Sequence, residues 1–400
     1  MVDALCKKMF GGNYDDLWKA VIRPQRDEYE ISELGPKEFT SEGRKYKRND
    51  FQLKNKRNLT LQCSMWEPVN YPAPQLPCVI YLHGNASSRI EAVSEVKNII
   101  RMGVTFVAFD FSGSGHSEGK YISLGWYERQ DVECVVTHLR KTNKISTIGL
   151  WGRSMGAVTA LMYGQEDPSV AGVVLDSPFS SLIVLVKELV ESKIKLPGFV
   201  LNQAVKMVSK SIEKEAGFKL TDIEPIKYAE KCFIPGLFCH GKGDDFVLKH
   251  HSEDLMKVYQ GEKKLMLEEG EHNTQRSKFF RDSAAIFFHN CLMVDKITEI
   301  QNMYSENQQN RMGQYQRYQQ QYGMDIIGGD ENGGSNNWAM PVDPYEEELK
   351  RVLELSKKEY EEQQKQHNNG SSSNNNNNTS SNNNDNNILI DDDIQFNLTE

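Results

Sequence analysis

The stretch Ile145-Ser-Thr-Ile-Gly-Leu-Trp-Gly-Arg-Ser-Met-Gly156 decides the fold. Its first seven residues form a mainly apolar run of strand length, and a helical pattern follows from Gly156 to Gly164. Between them lies a turn of the form G-x-S-x-G, from Gly152 to Gly156. A strand that turns this sharply into a helix brings two backbones close together, so a Cβ at either glycine would collide. The turn therefore lifts the Ser154 hydroxyl clear of the sheet.

Similar apolar runs occur on both sides of this stretch. Because they are apolar on both faces and are separated by helix-length segments, they indicate an α/β fold with a mostly parallel sheet covered by helices. Ahead of them, two alternating segments joined by the turn-prone residues 55–58 predict a β-hairpin. The hairpin strands are 51–53 and 59–65; the apolar runs are 78–82, 104–109, 145–151, 171–175, 236–239 and 264–267; the helical segments are 90–100, 127–139, 156–164, 252–259 and 276–292.

Chemically active side chains follow the ends of the later runs. Asp244 and Asp245 come after 236–239, and His272 comes after 264–267. A serine hydroxyl is a poor nucleophile at neutral pH, so Ser154 needs a general base, and His272 fits that role. The histidine in turn needs a buried carboxylate to fix its tautomer and stabilise the imidazolium. Taken singly, an aspartate at this place could equally cap the following helix.

Two backbone amides are expected to stabilise an oxyanion. The Met155 N–H lies at the start of the helix that follows Ser154, and the Asn85 N–H lies in the small-residue loop after 78–82. The other strand-end histidines, His83 and His240, are expected to be local hydrogen-bonding groups rather than bases.

With these residues, the sequence resembles the α/β-hydrolase superfamily. It resembles most the serine aminopeptidase-like branch, which includes monoacylglycerol lipase-type and prolyl aminopeptidase-type enzymes. The turn from Asp110 to Ser117 matches the D-x-x-G-x-G-x-S pattern of that branch, with Ser112 where Arg is common. The resemblance spans about residues 50–292 and implies a triad of Ser154, Asp244 and His272. The pattern H-G-x-x-D-x-x-V favours Asp244 as the acid, with Asp245 as the alternative. It implies neither a metal nor an organic cofactor.

The chain is expected to divide into five segments. Residues 180–220 interrupt the alternation with two amphipathic helical patterns broken at Pro197-Gly198, and they read equally as a lid or as extra packing. The segments are an N-terminal extension (1–49), the hydrolase domain (50–295), a Gln/Asn/Gly-rich linker (296–342), a helix (343–362), and an Asn/Ser-rich, acidic C-terminus (363–400).

The last hundred residues differ in composition from the rest. Residues 301–400 carry 7 Lys and Arg against 17 Asp and Glu, whereas residues 1–300 carry 40 against 39. The near-neutral front argues against a nucleic-acid surface. Residues 368–387 hold 12 Asn among 20 positions, a composition that buries too little apolar area to offset its ordering entropy. We therefore expect a disordered tail around the 343–362 helix.

The tail helix resembles a ubiquitin-interacting motif. Asp343 can cap it, Pro344 suits the first helical position, and an apolar stripe follows an acidic cluster. Val352 departs from the motif, which usually has Ala there. The resemblance implies ubiquitin as a partner; the alternative is a solvated, charged helix. A SUMO-binding segment is suggested at 388–394. The implied ubiquitin contacts are Glu346, Glu347, Glu348, Leu349, Val352, Leu353, Ser356 and Glu359.

The remaining features indicate a soluble cytoplasmic protein. The seven cysteines never form a C-x-x-C pair, which favours reduced thiols, and no apolar run approaches the ~20 residues of a membrane span. The sequence thus predicts a serine hydrolase that cleaves a small-molecule ester or thioester and binds ubiquitin through its tail. The alternatives are an amide-cleaving peptidase and a catalytically inactive ubiquitin adaptor.

Overall fold

The computed structural model describes residues 13–71, 73–193, 197–296 and 299. The linker beyond residue 299, the tail helix with its ubiquitin contacts, and the SUMO-like segment all lie outside the described residues, so those expectations stay predictions. None of the described helices is long and apolar enough to cross a membrane. The cysteines within the described ranges are all free thiols.

The described strands form one sheet in the order β1-β2-β3-β5-β4-β6-β7-β8-β9. β1 to β3 and the β3–β5 pair are antiparallel, and every pair from β5 through β9 is parallel. The mostly parallel sheet is therefore confirmed. The strands are β1 (Glu38–Ser41), β2 (Arg44–Lys54), β3 (Thr60–Pro68), β4 (Leu76–Leu82), β5 (Thr105–Phe109), β6 (Ile145–Arg153), β7 (Gly172–Asp176), β8 (Gly236–Gly241) and β9 (Lys263–Glu268).

Helices flank the sheet. Two large sets of buried apolar side chains fill the space between them, one including Leu150 and Phe238 and the other Trp151 and Phe288. The helices are α1 (Tyr14–Ile22), α2 (Val93–Ile100), α3 (Glu128–Lys141), α4 (Met155–Glu166), α5 (Leu182–Lys193), α6 (Gly198–Ala216), α7 (Pro225–Ala229), α8 (His250–Val258) and α9 (Lys278–Cys291), with 3-10 turns at Ile31–Leu34, Arg89–Ala92 and Leu220–Asp222.

Burial explains why the central strands could be read from the sequence. Every residue of β4, β5, β7 and β8 is buried, as expected for parallel strands with both faces covered. The predicted hairpin is also confirmed, because β2 and β3 pair antiparallel, with Phe51 opposite Cys63.

The sheet begins earlier than residue 50. β1 and the first part of β2 lie inside the segment that the sequence suggested as an N-terminal extension. α1 also belongs to the packed body, since Trp18 and Ile22 are buried in the same core as Leu61. β1 buries none of its residues, which is why its alternation gave no apolar signal.

The segment 180–220 forms α5 and α6, on either side of the Pro197-Gly198 break. Both helices bury one face: Leu182 and Leu185 on α5, and Val208 and Ile212 on α6, join the main core. The Tyr14 hydroxyl also donates to the Met207 carbonyl at 2.8 Å, joining α1 to α6. These contacts are those of packed helices.

Candidate active site

The turn between β6 and α4 holds Ser154 in a strained backbone conformation, with φ 53° and ψ −115°. Non-glycine residues rarely adopt positive φ, and such strain concentrates at functional sites. The flanking glycines are required: a Cβ on Gly152 would lie 2.2 Å from the Gly156 carbonyl oxygen, and one on Gly156 would lie 2.0 Å from that of Leu82. The Ser154 N–H donates to the Asp176 carbonyl of β7 at 2.7 Å, which anchors the turn.

The structure brings Ser154, His272 and Asp244 together. The Ser154 hydroxyl lies 3.0 Å from His272 Nε2, and His272 Nδ1 lies 2.7 Å from Asp244 Oδ2. All three residues are buried, between 5% and 8% exposed. Because the carboxylate accepts from Nδ1–H, the Nε2 lone pair is left to accept the serine proton. Asp245, the alternative acid, is exposed, and Asp244 makes the histidine contact.

Asp244 is a saturated acceptor. Its Oδ1 accepts from the amides of Val247 at 2.8 Å and Phe246 at 3.1 Å, and its Oδ2 faces His272 and, at 3.4 Å, His240 Nε2. Burial opposes ionisation, but hydrogen bonds from His240 and His272 outweigh it and hold the pKa of the Asp244 carboxyl well below its usual range. The carboxylate is therefore ionised at neutral pH.

The two other strand-end histidines make local hydrogen bonds, as expected. His83 accepts from the Phe111 amide at Nε2, 3.1 Å, which leaves Nδ1–H to donate to the Gly84 carbonyl at 2.7 Å. His240 Nε2 donates to the Val247 carbonyl at 2.7 Å. Both rings are fully buried.

The two expected oxyanion donors lie at the start of α4 and in the loop after β4. Met155 is the first residue of α4, so its N–H has no carbonyl partner within the helix and stands at the positive end of the helix dipole. Asn85 follows β4 and precedes Ala86, which has a φ of 56°. β4 and β6 are paired neighbours, with Leu82 opposite Gly152, so both loops leave the same edge of the sheet.

A buried ion pair that the sequence reading missed braces this edge. Arg276 Nε donates to the Asp176 carboxylate at 2.9 Å, and its Nη2 donates to the Ser177 hydroxyl at 2.8 Å. Burial raises the pKa of Asp176, and the facing guanidinium opposes that effect. The pair joins the end of β7, which holds the Ser154 amide, to the loop that carries His272. The available signal for this ion pair in the sequence was Asp176, which directly follows the apolar run 171–175.

An aromatic side chain borders the histidine. The Phe246 ring lies 5.1 Å from that of His272 and is 44% exposed. His272 therefore has apolar surface on one side.

A second cluster of titratable groups lies between α5 and α8. Glu188 accepts from His250 Nε2 at 2.8 Å and from His251 Nε2 at 2.9 Å, a donor set of the kind that binds zinc. However, the Ser180 amide donates to His251 Nδ1 at 3.2 Å, which places the ring proton on Nε2. That nitrogen is then a donor to Glu188, so it has no free lone pair for a metal. Glu188, His250 and His251 therefore form a hydrogen-bonded cluster between α5 and α8, which we call the latch.

Comparison with known proteins agrees with this architecture. Residues 74–216 match the family described as serine aminopeptidase, S33. The uncharacterised protein YqkD of Bacillus subtilis is 29% identical over 204 residues, 50% of this chain and 66% of its own. Human protein ABHD12B is 26% identical over 190 residues, 46% of this chain and 49% of its own. The chain thus spans about half to two thirds of these curated relatives.

Solved structures share the fold. The esterase Pf2001 of Pyrococcus furiosus superposes with a TM-score of 0.51 at 21% identity, over 67% of this chain and 99% of its own. Acetyl xylan esterase 1 of Thermoanaerobacterium superposes with a TM-score of 0.50 at 19% identity, over 70% and 93%. At such identities the likeness shows the fold alone. The chain has the α/β-hydrolase fold, and its residues 74–216 are similar to the serine aminopeptidase, S33 family.

Proposed function

We propose that the protein is a serine hydrolase that cleaves carboxylic esters or thioesters through an acyl-enzyme intermediate. The observation that carries this proposal is the continuous hydrogen-bonded chain from the Ser154 hydroxyl through His272 to Asp244. A buried carboxylate, an imidazole held in one tautomer and a serine on a strained turn are the parts that nucleophilic acyl transfer needs.

In the proposed reaction, His272 Nε2 removes the Ser154 proton as the serine oxygen attacks the acyl carbon. Asp244 stabilises the imidazolium through the Nδ1–H bond without taking up the proton. The amides of Met155 and Asn85 donate to the oxyanion of the tetrahedral intermediate, where loss of one such donor typically costs about 10²–10³ in kcat. His272 then protonates the leaving group, and water repeats the sequence to release the acid.

Three considerations support esters over amides. The solved structures that share the fold are named esterases, although they show the fold alone. An ester or thioester leaving group demands less of the protonating histidine than an amine does. The exposed Phe246 ring beside His272 offers apolar surface to an acyl or leaving group. The name of the matched family keeps peptide cleavage as the second candidate.

A rival function is that of an inactive ubiquitin adaptor. An inactive adaptor would have no need of the buried Ser–His–Asp hydrogen bonds. It would also have no need of the strained serine, although strain of this kind costs about 1–3 kcal/mol. Ubiquitin binding by residues 343–362 is proposed as an addition to hydrolysis, on the sequence pattern alone.

A fluorophosphonate probe tests the hydrolase proposal directly, because it phosphonylates a serine only when that serine is activated. We expect the wild type and the Ser169→Ala control to be labelled, and Ser154→Ala to remain unlabelled. Ser169 is an exposed serine hydrogen-bonded to Asp167, and it follows the C-terminal end of α4, whereas Ser154 precedes the first residue of that helix. An ester panel of varied acyl length, run on the same three proteins, then defines the substrate class. Failure of the folded wild type to react would favour the adaptor.

A further inference from the structure

Arg153 lies between Gly152 and Ser154, and its side chain is not used in the reaction proposed above. The guanidinium makes a two-pronged pair with Glu91: Nε lies 2.7 Å from Oε1 and Nη2 lies 2.8 Å from Oε2. The third nitrogen, Nη1, donates to Asn273 Oδ1 at 3.1 Å. Arg153 is 22% exposed and Glu91 15%, so the pair is largely withdrawn from solvent.

Glu91 in turn holds the loop that follows β4. Its Oε1 accepts from the Tyr81 hydroxyl at 2.8 Å, and its Oε2 accepts a long bond from the Gly84 amide at 3.4 Å. Burial would raise the pKa of Glu91, but the bonds from Arg153 outweigh it and bring the value to about 2. The carboxylate is therefore a permanent anchor for the guanidinium.

The guanidinium also packs directly on this loop. A Cβ built on Gly84 would lie 3.0 Å from Arg153 Nη2, so the guanidinium packs tightly against the backbone at this glycine. Gly84 immediately precedes Asn85, the expected oxyanion donor. Asn273 immediately follows His272, the expected base. The Arg153 side chain thus contacts both the residue before the expected oxyanion donor and the residue after the expected base.

We propose that Arg153 is the positioning residue of this site, fixing the serine turn, the oxyanion loop and the histidine loop in one arrangement with Glu91 as its anchor. The inference rests on the proposed serine hydrolase function. A planar guanidinium has three nitrogens in fixed directions, and each has its own partner here; a lysine ammonium lacks that geometry. The role belongs to the guanidinium shape and not only to its charge.

Arg153→Lys separates these two properties. The lysine ammonium keeps the positive charge beside Glu91. Its single nitrogen cannot donate to both Glu91 and Asn273 in the directions that the planar guanidinium uses. Because a misplacement of about 1 Å can cost about 10²-fold, we expect kcat for p-nitrophenyl butyrate to fall about 10- to 100-fold. KM should stay within about threefold, because Arg153 makes no contact with bound substrate in this scheme.

Arg48→Lys is the matched control. Arg48 is also an arginine paired with a carboxylate, with Asp50 at 3.0 Å, and it is more buried than Arg153, at 4% exposed, but it lies on β2 away from the site. A substitution there should lower the thermal midpoint and leave kcat within about twofold of the wild type. If both lysine variants lose stability and only Arg153→Lys loses kcat, the effect is positional.

Asn273→Ala provides a second test should Arg153→Lys fail to fold. Asn273 is exposed, so its truncation should leave the thermal midpoint unchanged, and loss of one of the three arms should lower kcat about three- to tenfold. A wild type labelled at Ser154, combined with an unchanged kcat in Arg153→Lys, or in Asn273→Ala where that variant is used, would overturn the positioning role alone. An unlabelled wild type would overturn both proposals.

Discussion

Two adjacent carboxylates in one loop show how burial separates chemical roles. Asp244 is 5% exposed and receives hydrogen bonds on both oxygens, whereas Asp245 faces solvent. The residues are chemically identical, so any difference in their contribution to catalysis must come from position. This makes the pair an internal control for the proposed triad.

We predict that Asp244→Asn lowers kcat by about 10³–10⁴, because the amide no longer fixes the His272 tautomer or stabilises its cation. Asp245→Asn should leave kcat within about twofold, as expected for an exposed position away from the reacting groups. Steady-state kinetics on the same p-nitrophenyl ester would measure both. A larger loss in Asp245→Asn would reverse the assignment of the acid.

At the residue scale, the sequence predicted the three residues of the hydrogen-bonded chain but not the charged residues that hold their loops in place. Ser154, Asp244 and His272 each follow a strand that can be recognised by its apolar run, and the chain order is that of one fold class. Arg153, Glu91 and Arg276 act through contacts across loops, and no local pattern indicates which charged residue will find which partner. The catalytic roles themselves stay predictions until the labelling experiment is done.

At the scale of elements, the latch between α5 and α8 ties the 180–220 segment to the body. His250 faces Glu188 from α5, Asp254 from its own helix, and the stacked ring of His251 at 4.4 Å. Burial lowers the pKa of His250, but the hydrogen bonds that the ring donates to Asp254 and Glu188 outweigh it and leave a net rise. His251 is held neutral, because burial lowers its pKa.

The raised pKa of His250 predicts a pH-dependent stability. Its contribution is complete below the unfolded pKa of about 6.5 and is lost as pH rises through the higher folded value. The thermal midpoint of His250→Gln should therefore fall below that of the wild type at pH 6, and the gap should narrow by pH 8.5. Since His250 is 38% exposed, solvent screening limits the pair to about 0.2–1 kcal/mol.

Calorimetry at several pH values would measure this gap. His289→Gln is the control, because that histidine is partly exposed near Asp295 and lies on α9, outside the Glu188–His250 pair. A gap for His250→Gln that is constant with pH would show that the latch is not electrostatic.

Elements with a long apolar run or a clear 3.6-residue period were predicted well, and the short elements α1 and β1 were not. The central strands and the two helices of 180–220 were located to within a few residues, because long apolar runs and 3.6-residue periods survive in the sequence. α1 and β1 were assigned to an extension. The signal for α1 was present: Asn13 and Asp16 form a capping box ahead of the buried Trp18 and Ile22.

At the scale of the whole molecule, hydrolysis and ubiquitin binding are expected to be separable. We predict that Leu353→Ala with Ser356→Ala weakens ubiquitin binding about fivefold or more, because truncating an apolar anchor typically costs more than 1 kcal/mol. Esterase kinetics should not change, since neither residue belongs to the proposed triad or to the expected oxyanion hole. Ser371→Ala, in the Asn/Ser-rich stretch, is the control. Titration with isotope-labelled ubiquitin would measure the affinities, and equal binding by all variants would remove the motif.

The site is assembled from the ends of strands that are distant in the chain: 118 positions separate the nucleophile from its base. Under the proposed mechanism, a ribosome must extrude the polypeptide past residue 272, and that stretch must dock on the sheet, before Ser154 can be activated. Translation that stops earlier is therefore expected to yield inactive fragments.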